Sequence, residues 1–256
     1  MSDQLNIRFQ EELNDFLPAD MCRTDITHQL KQPRSVKDLI ESIGVPHTEI
    51  DLIIVNVQSV DFNYLVKNGD HINVYPVVKS LPEGLATGSS AVKFLIRHNQ
   101  PKPLHVPRFV LDVHLGRLAA YLRLLGFDTL YRNDYDDPTL ATISADESRI
   151  LLTCDRQLLM RKQISYGYFV RSRQPQQQLV EVLSRFDLYD KQKPFSRCKS
   201  CNGKLRVVNK KEIESLLLAD TKKYYDEFFQ CESCNKIYWK GSHYLKMQEM
   251  INKLAA

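Results

Sequence analysis

Four of the six cysteines form two Cys-x-x-Cys pairs, Cys198/Cys201 and Cys231/Cys234. Each such turn aims two thiolates at one point, and two turns can enclose a zinc ion tetrahedrally. Four thiolates leave no open position on the metal, so the expected zinc is structural; a redox dithiol is the lesser alternative. We assign the tight turn after each second cysteine to Gly203 and Asn235, residue types that tolerate it. Cys22 and Cys154 are left without a role. Cys154 ends an apolar stretch and reads as a small buried residue.

A second group is acidic. Asp112 stands near the end of FVLDV, Asp155 directly after RILLTC, and Asp134, Asp136 and Asp137 share a loop. In an open parallel sheet, ligands bind where the strands reach their carboxyl ends. Carboxylates gathered there raise one another's pKa unless a cation sits among them. Mg2+ or Mn2+ suits such oxygen donors, and ions of this kind support phosphodiester cleavage. The bland alternative is a set of loop acids and caps, with Asp155 capping the helix after it and Asp137 the helix starting at Pro138. Residues 156–173 carry Arg156, Arg161, Lys162, Arg171 and Arg173 without an acid. With Arg117 in the preceding helix, these are the candidates for holding a phosphate backbone.

The elements that would position these groups are readable from periodicity. FVLDV (109–113), FDTLY (127–131), RILLTC (149–154) and ISYGYFV (164–170) read as strands. Between and after them, 115–126, 138–148, a segment opening at DRQLLMRK and 176–186 read as helices. Such alternation implies a parallel α/β sheet with flanking helices. Ahead of it, 5–9, 51–60 and 71–78 read as strands and 35–43 as a helix capped by Ser35, an α+β module. Residues 80–107 are rich in proline and glycine and read as a linker, although 92–98 could form a docked strand. A helical insert is expected near 210–219, between the cysteine pairs.

The net charge of +4 is unevenly spread. Residues 1–80 carry twelve acids against seven Lys/Arg, and the remainder nineteen against twenty-eight. The front is a poor match to a polyanion and the rest a better one. Residues 191–211 hold eight Lys/Arg and no acid, with Tyr238, Trp239 and His243 further on. That composition suits phosphate contacts and ring stacking, or a folding staple with a solvated face. No apolar run approaches the roughly 20 residues of a membrane span. MSDQLNIRFQEEL lacks the features of an export signal, so the expected address is the cytoplasm, with no membrane partner.

The stretches FVLDVHLGRLAAYLRLLGFDTLYRND, DDPTL and RILLTCDRQLL, followed by RCKSCNGKL and YYDEFFQCESCNKIYWKGSHY, resemble the mut-7 C-terminal RNase family, a branch of the PIN-like nucleases. The resemblance covers roughly residues 108–247. It implies a PIN-like fold and metal-dependent RNA cleavage. By motif, Asp112 stands for the first-strand acid, Asp136 or Asp137 for the acid opening the second helix, and Asp155 for the acid of a T-x-D motif supported by Thr153. Where PIN-like patterns often place a further acid after T-x-D, this chain has Arg156 and Gln157. Residues 1–79, through VKDLIESIGVPHTEIDLIIVN and LVKNGDHINVYPVV, are similar to the ubiquitin-like β-grasp domain that precedes this nuclease in bacterial members. Sulfur-carrier β-grasp proteins end in a free Gly-Gly, whereas this module continues into Lys79-Ser80-Leu81. Recognition of a protein partner or positioning of substrate remains, beside a plain stabilising role.

The expected organisation is therefore a β-grasp domain at 1–79, a linker at 80–107, a PIN-like core at 108–190 and a zinc ribbon with tail at 191–256. The expected function is a ribonuclease using carboxylate-held Mg2+ or Mn2+ at Asp112, Asp137 and Asp155. The competing reading is a zinc-ribbon RNA-binding protein with a silent acidic rim. A flavodoxin-like phosphoacceptor fits less well, because no suitably placed lysine is evident.

Overall fold

The computed structural model describes residues 4–77 and 97–255. The chain divides into two compact units, residues 1–105 with 144–169, and 106–143 with 170–256.

The N-terminal part of the first unit is a five-stranded sheet of order β2-β1-β5-β3-β4. Its strands are β1 (Gln4–Phe9), β2 (Ile26–Gln29), β3 (Ile50–Val55), β4 (Gln58–Val60) and β5 (His71–Pro76). β1 and β5 run parallel and the other neighbours antiparallel. Alternation in β1 buries Leu5, Ile7 and Phe9 against Val36, Leu39 and Ile40 of α1 (Val36–Ile43). The Ser35 side chain caps α1 by accepting the Asp38 N–H at 3.1 Å. This mixed sheet with one packed helix is the β-grasp arrangement.

The run 51–60, expected as one strand, is a hairpin. Asn56 takes φ 57° between β3 and β4, and Val57 is exposed at the turn. Asparagine tolerates the left-handed region, so the chain reverses without the glycine that usually announces a turn. The edge strand β2 carries no buried residue to mark it in the sequence: Ile26 and His28 are half-buried, Thr27 and Gln29 exposed. Within the expected linker, residues 97–100 dock on β3: the Asn99 N–H donates to the Asp51 carbonyl at 2.7 Å, and Gln100 Nε2 to that of Ile50 at 2.6 Å. Residues 80–96, and with them most of the candidate strand 92–98, lie outside the described residues.

Beyond the linker the chain alternates strand and helix. In the second unit β6 (Phe109–Leu111) and β7 (Thr129–Leu130) form a parallel pair joined through α2 (Gly116–Leu124). In the first unit β8 (Ile150–Thr153) and β9 (Gly167–Phe169) form another, joined through α4 (Arg156–Leu159). α3 (Asp137–Glu147) leads into β8, and α5 (Pro175–Arg185) follows β9 with its proline in the first turn. The class is α/β, as expected. The strands are shorter than expected because the flanking aspartates and turns end them: β6 stops at Leu111, where Asp112 begins a 3-10 helix. α2 closes at Gly126, φ 93°, where a Cβ would collide with the Lys193 carbonyl.

The C-terminal part is a three-stranded antiparallel sheet of order β10-β11-β12: β10 (Leu205–Val208), β11 (Phe228–Cys231) and β12 (Ile237–Tyr238). The helical insert is α6 (Lys210–Ile213) and α7 (Ala219–Tyr224), and α8 (Ser242–Ala255) ends the chain. Val208, Ile213 and Phe228, flanked by Tyr225 and Trp239, make a small core. Among the described residues no helix is long and apolar enough to cross a membrane.

Candidate functional site

The four cysteines meet. Their sulfurs all lie within 4.8 Å of one another. Cys198 Sγ is 3.5 Å from Cys234 Sγ, and Cys201 Sγ 3.5 Å from Cys231 Sγ. A tetrahedron with Zn–S bonds near 2.3 Å needs sulfurs about 3.8 Å apart, so this donor set fits zinc. The backbone N–H groups of Ser233 and Cys234 point at Cys231 Sγ, both at 3.4 Å. Burial pushes the Cys198 thiol up, but the Tyr238 hydroxyl, 3.0 Å away, and the backbone of Cys201 and Ser200 outweigh it and bring the group to about 6. Burial instead pushes Cys201 up to about 12. One thiolate therefore forms readily in a cluster that a dication would complete.

The turns differ from the expectation in one respect. Asn202 (φ 66°) and Asn235 (φ 58°), each directly after a second cysteine, take the left-handed conformation. Gly203 is needed for a different reason: a Cβ there would stand 2.6 Å from Ser233 Oγ and 3.0 Å from Cys231 Sγ. The two knuckles pack too closely for a side chain.

The first knuckle is tied to β7 and α2 by residues that sequence reading passed over. Asn202 Oδ1 accepts the Thr129 N–H at 3.0 Å, and its Nδ2 donates to Asp128 at 2.8 Å. Arg197 pairs with the other Asp128 oxygen at 3.0 Å. Arg123 is buried in α2 and donates to the carbonyls of Thr129 at 2.9 Å and Ser200 at 3.0 Å. Nothing in the periodicity singles out Arg123, because an arginine on an amphipathic helix ordinarily reads as surface.

The aspartates occupy strand ends and helix starts. Asp112 is buried directly after β6, and one of its oxygens accepts the His114 N–H at 2.7 Å. The exposed His114 ring, absent from the sequence-based list, stands 3.3 Å from the same oxygen. Thr153 ends β8 fully buried, and its hydroxyl accepts the Asp155 N–H at 2.9 Å. Asp155 is exposed and caps α4 through the Gln157 N–H at 2.8 Å. Among the described residues no cation pairs with Asp155. The cap of α3 is Asp136, not Asp137: Asp136 accepts the Thr139 N–H at 2.9 Å, while Asp137 is half-buried in the first turn. Asp134 is bound by Arg132 at 2.7 and 2.8 Å, and this hydrogen-bonded pairing lowers its pKa. Asp112, Asp136 and Asp137 belong to one unit, Thr153 and Asp155 to the other.

Of the basic candidates, Arg117, Lys162 and Arg173 are exposed, and Arg161 and Arg171 half-buried. The Arg156 guanidinium is engaged within the chain, donating to the Phe16 carbonyl at 2.7 Å. Tyr238 is half-buried on Cys198, and Trp239 belongs to the ribbon core, so neither ring is an open stacking platform. The His243 side chain lies outside the described residues. Cys154 is exposed, contrary to the expectation, because it lies past the end of β8.

Comparison with known families completes the picture. The family model of the Mut7-C RNAse domain matches residues 107–251, more than half of the chain, and that of the Mut7-C ubiquitin domain matches residues 2–82. No curated protein and no solved structure matches. The matches point to a nuclease-type enzyme with a ubiquitin-like module before it.

Proposed function

The chain belongs to the Mut7-C RNAse domain family, and from that premise we propose that it is a metal-dependent ribonuclease acting in the cytoplasm. The carrying observation is the Thr153–Asp155 turn: a buried hydroxyl fixes the backbone of an exposed carboxylate at a strand end, with no cation of the chain paired to it among the described residues. Asp112, Asp137 and Asp155 are the carboxylates we assign to Mg2+ or Mn2+, an all-oxygen set that suits a hard cation. Such an ion, when bound, supplies water activation and charge neutralisation at the scissile phosphate. Asp136 holds the first turn of α3, and Thr153 orients Asp155. Arg117, Arg161, Lys162, Arg171 and Arg173 hold the RNA backbone.

Zn2+ in the four-cysteine site closes the ribbon, and its basic flank, 191–211, adds to RNA binding. The cytoplasm suits this site because a reducing compartment keeps the thiolates available. A protein partner is recognised through the ubiquitin-like module.

The test is cleavage of labelled single-stranded and structured RNA with Mn2+, Mg2+ or EDTA. Wild type should cut only with metal. Asp112→Asn and Asp155→Asn should each lose more than the roughly 10–100-fold typical of outer-shell partners, while still binding RNA. Folded, zinc-loaded wild type that binds RNA and cuts none would favour the non-catalytic zinc-ribbon RNA-binding protein instead.

A further inference from the structure

We infer that Arg156 is a positioning residue, and that the ubiquitin-like module grips the Thr153–Asp155 turn through it. The inference rests on the reading of Asp155 as a catalytic carboxylate.

Arg156 directly follows Asp155 and is the first residue of α4. Its side chain turns to the N-terminal module. Nη1 donates to the Phe16 carbonyl at 2.7 Å, and Nη2 lies 3.5 Å from that of Asp15. These carbonyls end the 3-10 helix Glu11–Phe16, where a cation is favoured. The guanidinium carbon also stands 5.3 Å from the Phe16 ring centre and 5.9 Å from that of Phe169. The two rings meet edge to face at 5.2 Å. Arg156 thus closes a stack between the module and β9.

Two further contacts hold the same region. The Glu49 carboxylate, 1% exposed, accepts the Phe169 N–H at 2.7 Å. Phe169 is the register partner of Thr153 in the β8–β9 pair. Nε2 of the buried His47 lies 2.9 Å from the Ile164 carbonyl, and its Nδ1 2.6 Å from Glu41. The module therefore fixes both neighbours of Asp155: β8 through Phe169, and the start of α4 through Arg156. Those neighbours set the carboxylate, since Thr153 accepts its N–H and Gln157 donates to its oxygen. A displacement of about 1 Å at such a group can cost about 100-fold in rate.

The competing role for Arg156 is the one its sequence position suggests, a ligand for the RNA backbone. Lysine separates the two. It keeps the charge that a phosphate needs but loses the planar fork that spans two carbonyls and lies between two rings.

The experiment uses the full chain with Mn2+ and a labelled single-stranded RNA. It reads kcat, KM, the Mn2+ concentration for half activation and the salt dependence of RNA binding. Arg156→Lys and Arg156→Gln should both lose about 10–100-fold in kcat and need more Mn2+, with KM and the salt slope unchanged. Phe16→Leu, which alters the grip without touching α4, should move kcat and the Mn2+ requirement the same way by less. Circular dichroism and zinc content confirm that each variant is folded. Wild-type kcat in Arg156→Lys overturns the inference. So does Arg156→Gln with raised KM and a salt slope lower by about 1, the mark of a phosphate ligand. Wild type that cuts no RNA removes the nuclease reading and this inference with it, whereas cutting by wild type and both Arg156 variants alike removes the inference alone.

Discussion

At the scale of single residues, neighbouring aspartates divide their work by geometry. Asp136 and Asp137 are indistinguishable in sequence, yet only Asp136 spends a carboxylate oxygen on the Thr139 N–H, and Asp137 stands inside the first turn of α3. A capping side chain contributes about 1 kcal/mol of stability. Asp136→Ala should therefore lower the unfolding free energy read from urea denaturation by about 1 kcal/mol while changing kcat less than threefold. Asp137→Asn should abolish most cleavage. Chemical denaturation and single-turnover cleavage of both variants check this. Cleavage lost in Asp136→Ala with Asp137→Asn active would exchange the two roles. The same logic explains Arg156, whose charge looked like a phosphate ligand and whose side chain is held by carbonyls of its own chain. Charge type is visible in a sequence; the partner that consumes it is not.

At the scale of elements, the zinc ribbon is where chemistry and folding coincide. Its apolar core among the described residues is small, centred on Val208, Ile213 and Phe228, so metal binding is expected to supply part of its folding free energy. The chain has one tryptophan, Trp239, and its ring lies 6.4 Å from that of Phe228 and 6.1 Å from that of Tyr225. Emission therefore reports on the ribbon alone. A chelator strong enough to remove zinc should release one ion per chain and shift the emission to the red, and Cys231→Ser should reproduce the shift without chelator. Fluorescence with a colorimetric zinc assay measures both. Unchanged emission after complete zinc loss would mean that packing, not metal, holds the ribbon.

Much at this scale was legible. The Ser35 cap, the helix-ending Gly126, the strand–helix alternation and the two cysteine pairs act through local rules, and local rules leave local marks. The hairpin at Asn56 was not legible because asparagine supplies the turn without breaking the apolar run. Nor were the ties from Asn202 to β7 and from Arg123 to the first knuckle, which join residues more than seventy positions apart through backbone carbonyls and N–H groups that every sequence has. Of the candidate site, the residue types and their strand-end positions were readable. The division between capping, orienting and exposed aspartates depended on which N–H each one accepts.

At the scale of the whole molecule, the two compact units show that sequence order and structural grouping part company. The acidic module and the basic remainder suggest a separable front and a working back. Yet residues 144–169 group with the module, and Phe169 packs on the module's apolar core. If this grouping is energetic, β9 and the module should open together and not as independent elements. Hydrogen exchange on the full chain measures it. Peptides covering 150–169 should exchange at the rate of those covering β3 and β5. Glu49→Gln weakens the bond to the Phe169 N–H by replacing a charge-assisted acceptor with a neutral one. It should speed exchange in 150–169 and in β3 by similar factors, leaving the ribbon peptides around β11 unaffected. Acceleration confined to 50–55, with 150–169 unmoved, would make the module an appendage whose contacts carry no coupling. The grip on Asp155 would then have to come from β8 and α4 alone.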